Sequence, residues 1–249
     1  MSSESEPRPV EPAPPAGPLF GSFLGLYGTP RQAFEPLLTS RRWWIALLGV
    51  VALNLAFTVI WSRNVEPVEF MREQIAKSPQ AARLSPEQFE QAVRQQAAAF
   101  PVFLWLGPLV FTPLVVLLVA AVYLFVFRFA KGSDVRLVDS LGVVGWAFLA
   151  VSVVVQPLLL MTIAAKGEWS VDPRTVLQAG PAVLMDQATT PRILYTLMDS
   201  LDLFSFWTLF LLAAGYAAAG RRPTGWAAGG VIGPWVVYVL GRAALAAVF

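Results

Sequence analysis

Five stretches of this chain are almost free of charge: 43–61, 101–127, 141–165, 201–220 and 225–248. Crossing bilayer hydrocarbon takes roughly 20 apolar helical residues, and each stretch has about that length or more. No charged residue falls between Trp43 and Trp61, or between Phe100 and Phe127. The pattern predicts an all-α polytopic membrane protein with five transmembrane helices, plus short interfacial and extramembrane helices.

The segments between the runs carry helix signals of another kind. In GTPRQAFEPLLTS, Thr29 can cap a helix with Pro30 at its first position. Phe34, Leu37 and Leu38 then share a face, with Arg31 and Glu35 off it, which suits a short helix in the membrane interface. Pro36 interrupts that segment. Between the first two runs, charges alternate in sign. Ser78-Pro79 breaks this loop and Ser85-Pro86 restarts it, so helices near 65–77 and 86–99 are expected. The loop 166–200 repeats the signal at Asp172-Pro173 and Thr190-Pro191, with Gly180-Pro181 between them. Residues 1–19 are rich in Pro, Glu and Ser and show no apolar period. They are expected to form a disordered tail ahead of a transmembrane domain over 20–249.

Composition sharpens this picture. Hydrophobic residues make up 56% and charged residues 14% of the chain, against about 25% charged in soluble domains. A net charge of +2 gives no footprint for nucleic acid. The chain has no histidine and no cysteine. That excludes thiol nucleophiles, disulfides, His-ligated zinc and a Ser-His-Asp relay. No catalytic, cofactor-binding or metal site is expected.

Charge placement predicts orientation. The two short links carry Arg128, Lys131, Arg136, Arg221 and Arg222, and Arg41 and Arg42 directly precede the first run. Dense basic residues close to spans stay cytoplasmic. The N-terminus is therefore expected inside and the C-terminus outside, with both long loops outside.

Within the runs, Gly225, Gly229 and Gly233 recur at every fourth position, opposite small residues Ala213 and Ala217 of the preceding run. Such stripes let helices approach closely, so the fourth and fifth helices are expected to pack through them. Arg242 is the one base deep in a run. Its insertion costs on the order of 3 kcal/mol unless it snorkels or pairs. Asp202 is the expected partner, with Asp199 one turn earlier as second candidate. Asp199 and Asp202 share one helix start and do not form an aspartyl dyad, which needs carboxylates converging on one water. Asn54, Thr58 and Gln156 are polar groups at depth. Such groups either bond a neighbouring helix or line a small cavity beside the prolines 108, 113, 157 and 234.

The order of runs, the segment SLDLFSFWTLFLLAAG followed by a short basic link, GTPRQAFEPL before the first run, and the stretch from Trp146 to Pro157 together resemble the Yip domain family of five-span membrane proteins. The likeness covers about 20–249. It implies a membrane protein without catalytic residues. Eukaryotic members are linked to prenylated small GTPases and vesicle traffic. Lysine occurs here only at 77, 131 and 166, and the arginine- and alanine-rich remainder reads as a prokaryotic-type member, which argues against a small-GTPase partner. The expected role is a non-enzymatic scaffold in the bacterial cytoplasmic membrane. Its partners would be the lipid bilayer, other membrane proteins or a second copy. The alternative is a small transporter or channel subunit.

Overall fold

The computed structural model describes residues 19–78, 81–177, 179–186 and 189–248. The tail expected over 1–19 thus lies outside the described residues except for Leu19. The described residues fold into helices alone: α1 (Leu19–Gly25), α2 (Pro30–Thr39), α3 (Trp43–Ser62), α4 (Pro67–Ala76), α5 (Pro86–Leu106), α6 (Thr112–Phe125), α7 (Leu137–Lys166), α8 (Pro173–Val176), α9 (Arg192–Ser200), α10 (Leu203–Ala219) and α11 (Thr224–Val248).

Among the described residues four helical stretches are long and apolar enough to span a membrane, and a fifth arises if α9 and α10, bent by 49°, count as one. The second run differs from its sequence reading. The helix expected at 86–99 does not stop before it; Pro86–Ala130 is one helix of 45 residues, about 68 Å long at 1.5 Å per residue. Three prolines lie inside it. The chain absorbs Pro108 and Pro113 with a π turn at Gly107–Phe111, where the Thr112 amide reaches back five residues to the Gly107 carbonyl. A wider turn spaces the backbone where a proline has no N–H to give. Ser85 and Gln88 form the capping box at the start of this helix, as the Ser-Pro signal implied.

The centre of the bundle is α7. Every residue from Ser140 to Ala147 is buried, so at this level neighbours surround the helix on all sides. Those neighbours are α3, α6, α10 and α2. Gly142 and Gly145 admit them closely: a Cβ at Gly145 would meet the Ala46 methyl at 3.3 Å. A polar knot sits in the same core. Ser140 Oγ donates to the Ala120 carbonyl at 2.7 Å and accepts from the Tyr216 hydroxyl. Tyr216 stacks on Phe127 at 4.2 Å, and Tyr123 donates to the Val231 carbonyl at 3.3 Å. These bonds tie α6, α7, α10 and α11 together.

The segment before the first run forms two helices. α1 and α2 cross where Gly25 meets Ala33. The stripe read from sequence packs onto the bundle, with Ala33, Phe34 and Leu37 buried. Phe34 reaches α10 at Gly215, where a Cβ would meet its ring at 3.1 Å. At the tip, Tyr27 donates to the Ala150 carbonyl at 2.9 Å. From Leu137 to Ala150, α7 rises about 20 Å, so the hairpin tip reaches well down the bundle. Thr29 holds the expected N-cap position, but its side chain makes no capping bond. Pro30 alone starts that helix.

A smaller core closes the opposite end. Trp61, Phe70 and Phe100 pack edge-on or tilted at 5.2 to 5.8 Å, over Leu159 and Ile163. The Trp61 indole donates to the Trp169 carbonyl at 3.1 Å. This core fastens α4 and α5 onto the ends of α3 and α7.

Candidate functional site

At mid-bundle three polar side chains meet. Gln156 on α7 donates to Asn54 on α3 at 2.6 Å, and Asn54 donates to Thr112 at 3.3 Å. Thr112 returns its hydroxyl to the Gly107 carbonyl at 3.4 Å, within the π turn. A cavity of about 430 Å³ lies beside Asn54 and Thr112. Thr58 is buried nearer the far end of α3.

The glycine stripe of α11 is not the packing face. A Cβ at Gly225 or Gly233 would meet nothing within 4 Å, and one at Gly229 only the Lys131 ammonium. All three are exposed. The helix enters the bundle through Ala227, Gly230 and Val231 instead, all buried. The cause is the second π turn, Val126–Ala130. It carries Phe127 against α11, where a Cβ on Gly230 would come within 2.7 Å of the ring. Ala213 and Ala217 of α10 are buried in the main core as expected of small residues, but they do not face the glycines.

Arg242 does not pair with Asp202. Its guanidinium donates to Asp199 at 3.1 Å and to the Ser200 hydroxyl at 3.3 Å, and it lies 5.9 Å from the Tyr238 ring centre. Asp202 is committed elsewhere: it caps α10, accepting from the Phe204 and Ser205 amides and the Ser205 hydroxyl. The bend between α9 and α10 aims it there. Gly180 holds that bend, since a Cβ would sit 2.5 Å from the Leu201 carbonyl oxygen.

A cleft of about 770 Å³ opens at the end bearing the short basic links. The end of α2, the loop joining α6 to α7 and the end of α10 form its walls. Loop and α10 meet tightly, because a Cβ at Gly220 would touch Ser133 Oγ at 3.1 Å. Arg41, Arg221, Arg222, Glu35 and Asp134 line the cleft. Among the described residues none of these five has an ion-pair partner. Arg136, also on the wall, is paired with Asp139 at 3.3 Å.

Two of these arginines have unusual backbones. Arg41 (φ 53°) and Arg221 (φ 51°) are the two non-glycine residues with positive φ among the described residues. Each stands just past a helix end, where glycine is the usual occupant. Beyond α10 the Arg221 and Arg222 amides bond the Ala218 and Ala217 carbonyls at 3.2 and 2.9 Å, a complete Schellman closure. Beyond α2 the Arg41 amide bonds the Leu38 carbonyl, while the Ser40 hydroxyl relays the Arg42 amide to the Leu37 carbonyl. From sequence these arginines register only as basic density. No local signal marks them: Ser40 and Gly220 directly follow the two helices, and the left-handed residue is the arginine one place further on.

The chain matches none of the curated proteins and none of the solved structures compared with it. It does match the Yip1 domain over residues 24–245, from the α1–α2 hairpin almost to the end of α11. This all-helical bundle of apolar spans, with its N-terminal hairpin packed against it, belongs to the Yip1 domain family of membrane proteins.

Proposed function

We propose that the chain is a non-enzymatic scaffold of the Yip type, which works through contacts at its surface and moves no solute. What carries the reading is the use made of polar groups at depth. Asn54 is bonded to helices on two sides, so its side chain joins α3 to α6 and α7. Interhelical bonds of this kind hold membrane helices together. The open, charged surface lies instead at the basic end. We place that end in the cytoplasm of a bacterial cell, because dense arginines in short links are retained inside. Reporter fusions after Ser78, Gly132, Gly180 and Pro223 should read outside, inside, outside, inside; the inverse order overturns the orientation.

A second reading, a transporter or channel subunit, is favoured by one observation. The cavity is lined by Asn54 and Thr112, and Asn54 bonds Gln156, whose Oε1 is buried with no hydrogen-bond partner among the described residues. Flux separates the two readings. Proteoliposomes holding the full chain should release no entrapped potassium, chloride or small polar dye above protein-free vesicles. Flux lost in Asn54→Leu would establish the transport reading.

A further inference from the structure

We propose that the cleft at the basic end binds an aminoalkyl phosphate, the chemistry of a phosphatidylethanolamine headgroup. Arg41, Arg221 and Arg222 would take the phosphate, and Glu35 and Asp134 the ammonium.

The backbone points first to a ligand. A left-handed conformation is costly for any residue with a Cβ, and such strain gathers at functional sites. Favourable contact with a helix C-terminus does not require it. Arg42 and Arg222, next in sequence, already put cations near the same ends, and glycine would close both helices without strain. Two strained arginines nonetheless stand on the walls of one cleft.

Charge identifies the ligand class. Among the described residues, these three guanidiniums and two carboxylates share the space without pairing, although Arg136 and Asp139 on the same wall pair at 3.3 Å. A simple anion would face two free carboxylates, and a simple cation three free guanidiniums. A ligand with both charges satisfies both sets. Guanidinium forks match phosphate oxygens. Carboxylates accept hydrogen bonds, which suits a primary ammonium. A quaternary ammonium is recognised by aromatic cages, and among the described residues no aromatic side chain lines this cleft. The volume of about 770 Å³ falls within the range of small-molecule sites. Depth fits as well. Trp44, two residues beyond Arg42, is 51% exposed, and tryptophans mark the headgroup level.

The site rests on the scaffold reading only in taking this end as the working surface. Solute flux would overturn that reading, whereas lipid retention tests this one separately. The full chain is placed in phosphatidylcholine nanodiscs with an equal admixture of phosphatidylethanolamine and phosphatidylglycerol, and retained lipids are counted by native mass spectrometry. The wild type should keep phosphatidylethanolamine over both other lipids by about tenfold, the ratio that one good charge-assisted contact gives. Arg41→Gly with Arg221→Gly should lower that retention about tenfold, with the melting temperature in detergent unchanged or raised. Folding is thereby separated from binding. Glu35→Gln with Asp134→Asn should shift preference to phosphatidylglycerol. Equal retention of the two lipids by the wild type, or undiminished retention in the glycine variant, overturns the proposal. Free O-phosphoethanolamine is the second arm. If it raises the wild-type melting temperature but no lipid is retained, the ligand is a soluble aminoalkyl phosphate; retention without that shift assigns a lipid headgroup.

Discussion

At the end built from the two long loops, several charges and helix termini are matched by ordinary means. Arg72 pairs with Glu90 at 3.0 Å and Lys77 with Glu73 at 3.3 Å. Ser85 and Asp202 cap their helices with side chains, and Arg242 finds Asp199. At the basic end five cleft charges have no ion-pair partner among the described residues, and two helix ends carry arginine in a glycine conformation. Apolar packing runs the other way. The main core, with Phe34 and Tyr216 fully buried, lies at the basic half, while the far end relies on a small aromatic cluster. A rigid core beneath exposed, unpaired charges would hold the proposed site in place for its ligand.

The largest effect should come from detaching the hairpin that forms one wall of the cleft. Phe34 is fully buried between α7 and α10. Phe34→Ala should cost about 3 kcal/mol, read as a lower melting temperature in detergent. Because α2 also carries Glu35 and leads to Arg41, a cysteine introduced at the buried position 33 should become more accessible to labelling in the same variant. A melting temperature within a degree of wild type, on the order of a few tenths of a kcal/mol, would mean that the hairpin is not part of the core.

The next effect tests which face of α11 packs. Gly230→Leu drives a side chain into Phe127 and should cost about 2 kcal/mol, as overpacking does. Gly229→Leu, one residue away, should leave the monomer's melting unchanged. The opposite ranking would restore the stripe as the contact.

That pair of glycines shows where sequence stops being informative. The five apolar runs were legible because a charge in hydrocarbon is expensive, so their boundaries are marked by chemistry local to the chain. Ser85 was legible for the same reason, since its capping partner is three residues away. A period of four places Gly225, Gly229 and Gly233 on one face, but nothing local says what that face meets. The answer depends on Phe127, over a hundred residues distant, and on a π turn that shifts it. Arg242 repeats the lesson on a smaller scale. Asp199 and Asp202 are one turn apart, and a bend closed by Gly180 decides between them. The cleft was illegible as a site, since its charges come from three separated segments.

A third prediction concerns that ion pair, which marks the matched end. Asp199 and Arg242 are both partly exposed, with side-chain exposures of 28% and 39%, so screening keeps the coupling to about 1 kcal/mol. Asp199→Asn and Arg242→Gln should each lower the melting temperature, and the double variant should recover part of the loss. Asp202→Asn should show no coupling to Arg242, because its loss acts through the α10 cap. Coupling to Asp202 instead would show that the bend differs in the membrane.

The smallest effect bears most directly on the contrast between the ends. In a helix interior alanine is more stable than glycine by about 1 kcal/mol. At position 221 the order should invert. Arg221→Ala removes the guanidinium but keeps a Cβ at φ 51°, so the strain remains. Arg221→Gly removes both. The strain relieved is about 1 kcal/mol, and glycine's greater freedom in the unfolded chain takes back about half of it. Arg221→Gly should therefore be the more stable variant by about 0.5 kcal/mol, and Arg41→Gly should exceed Arg41→Ala likewise. Differential scanning of the purified variants in one detergent resolves the ranking even where absolute stabilities are inaccessible. If alanine proves the better residue at both positions, the arginine backbones are relaxed, and the basic end carries no more strain than the other.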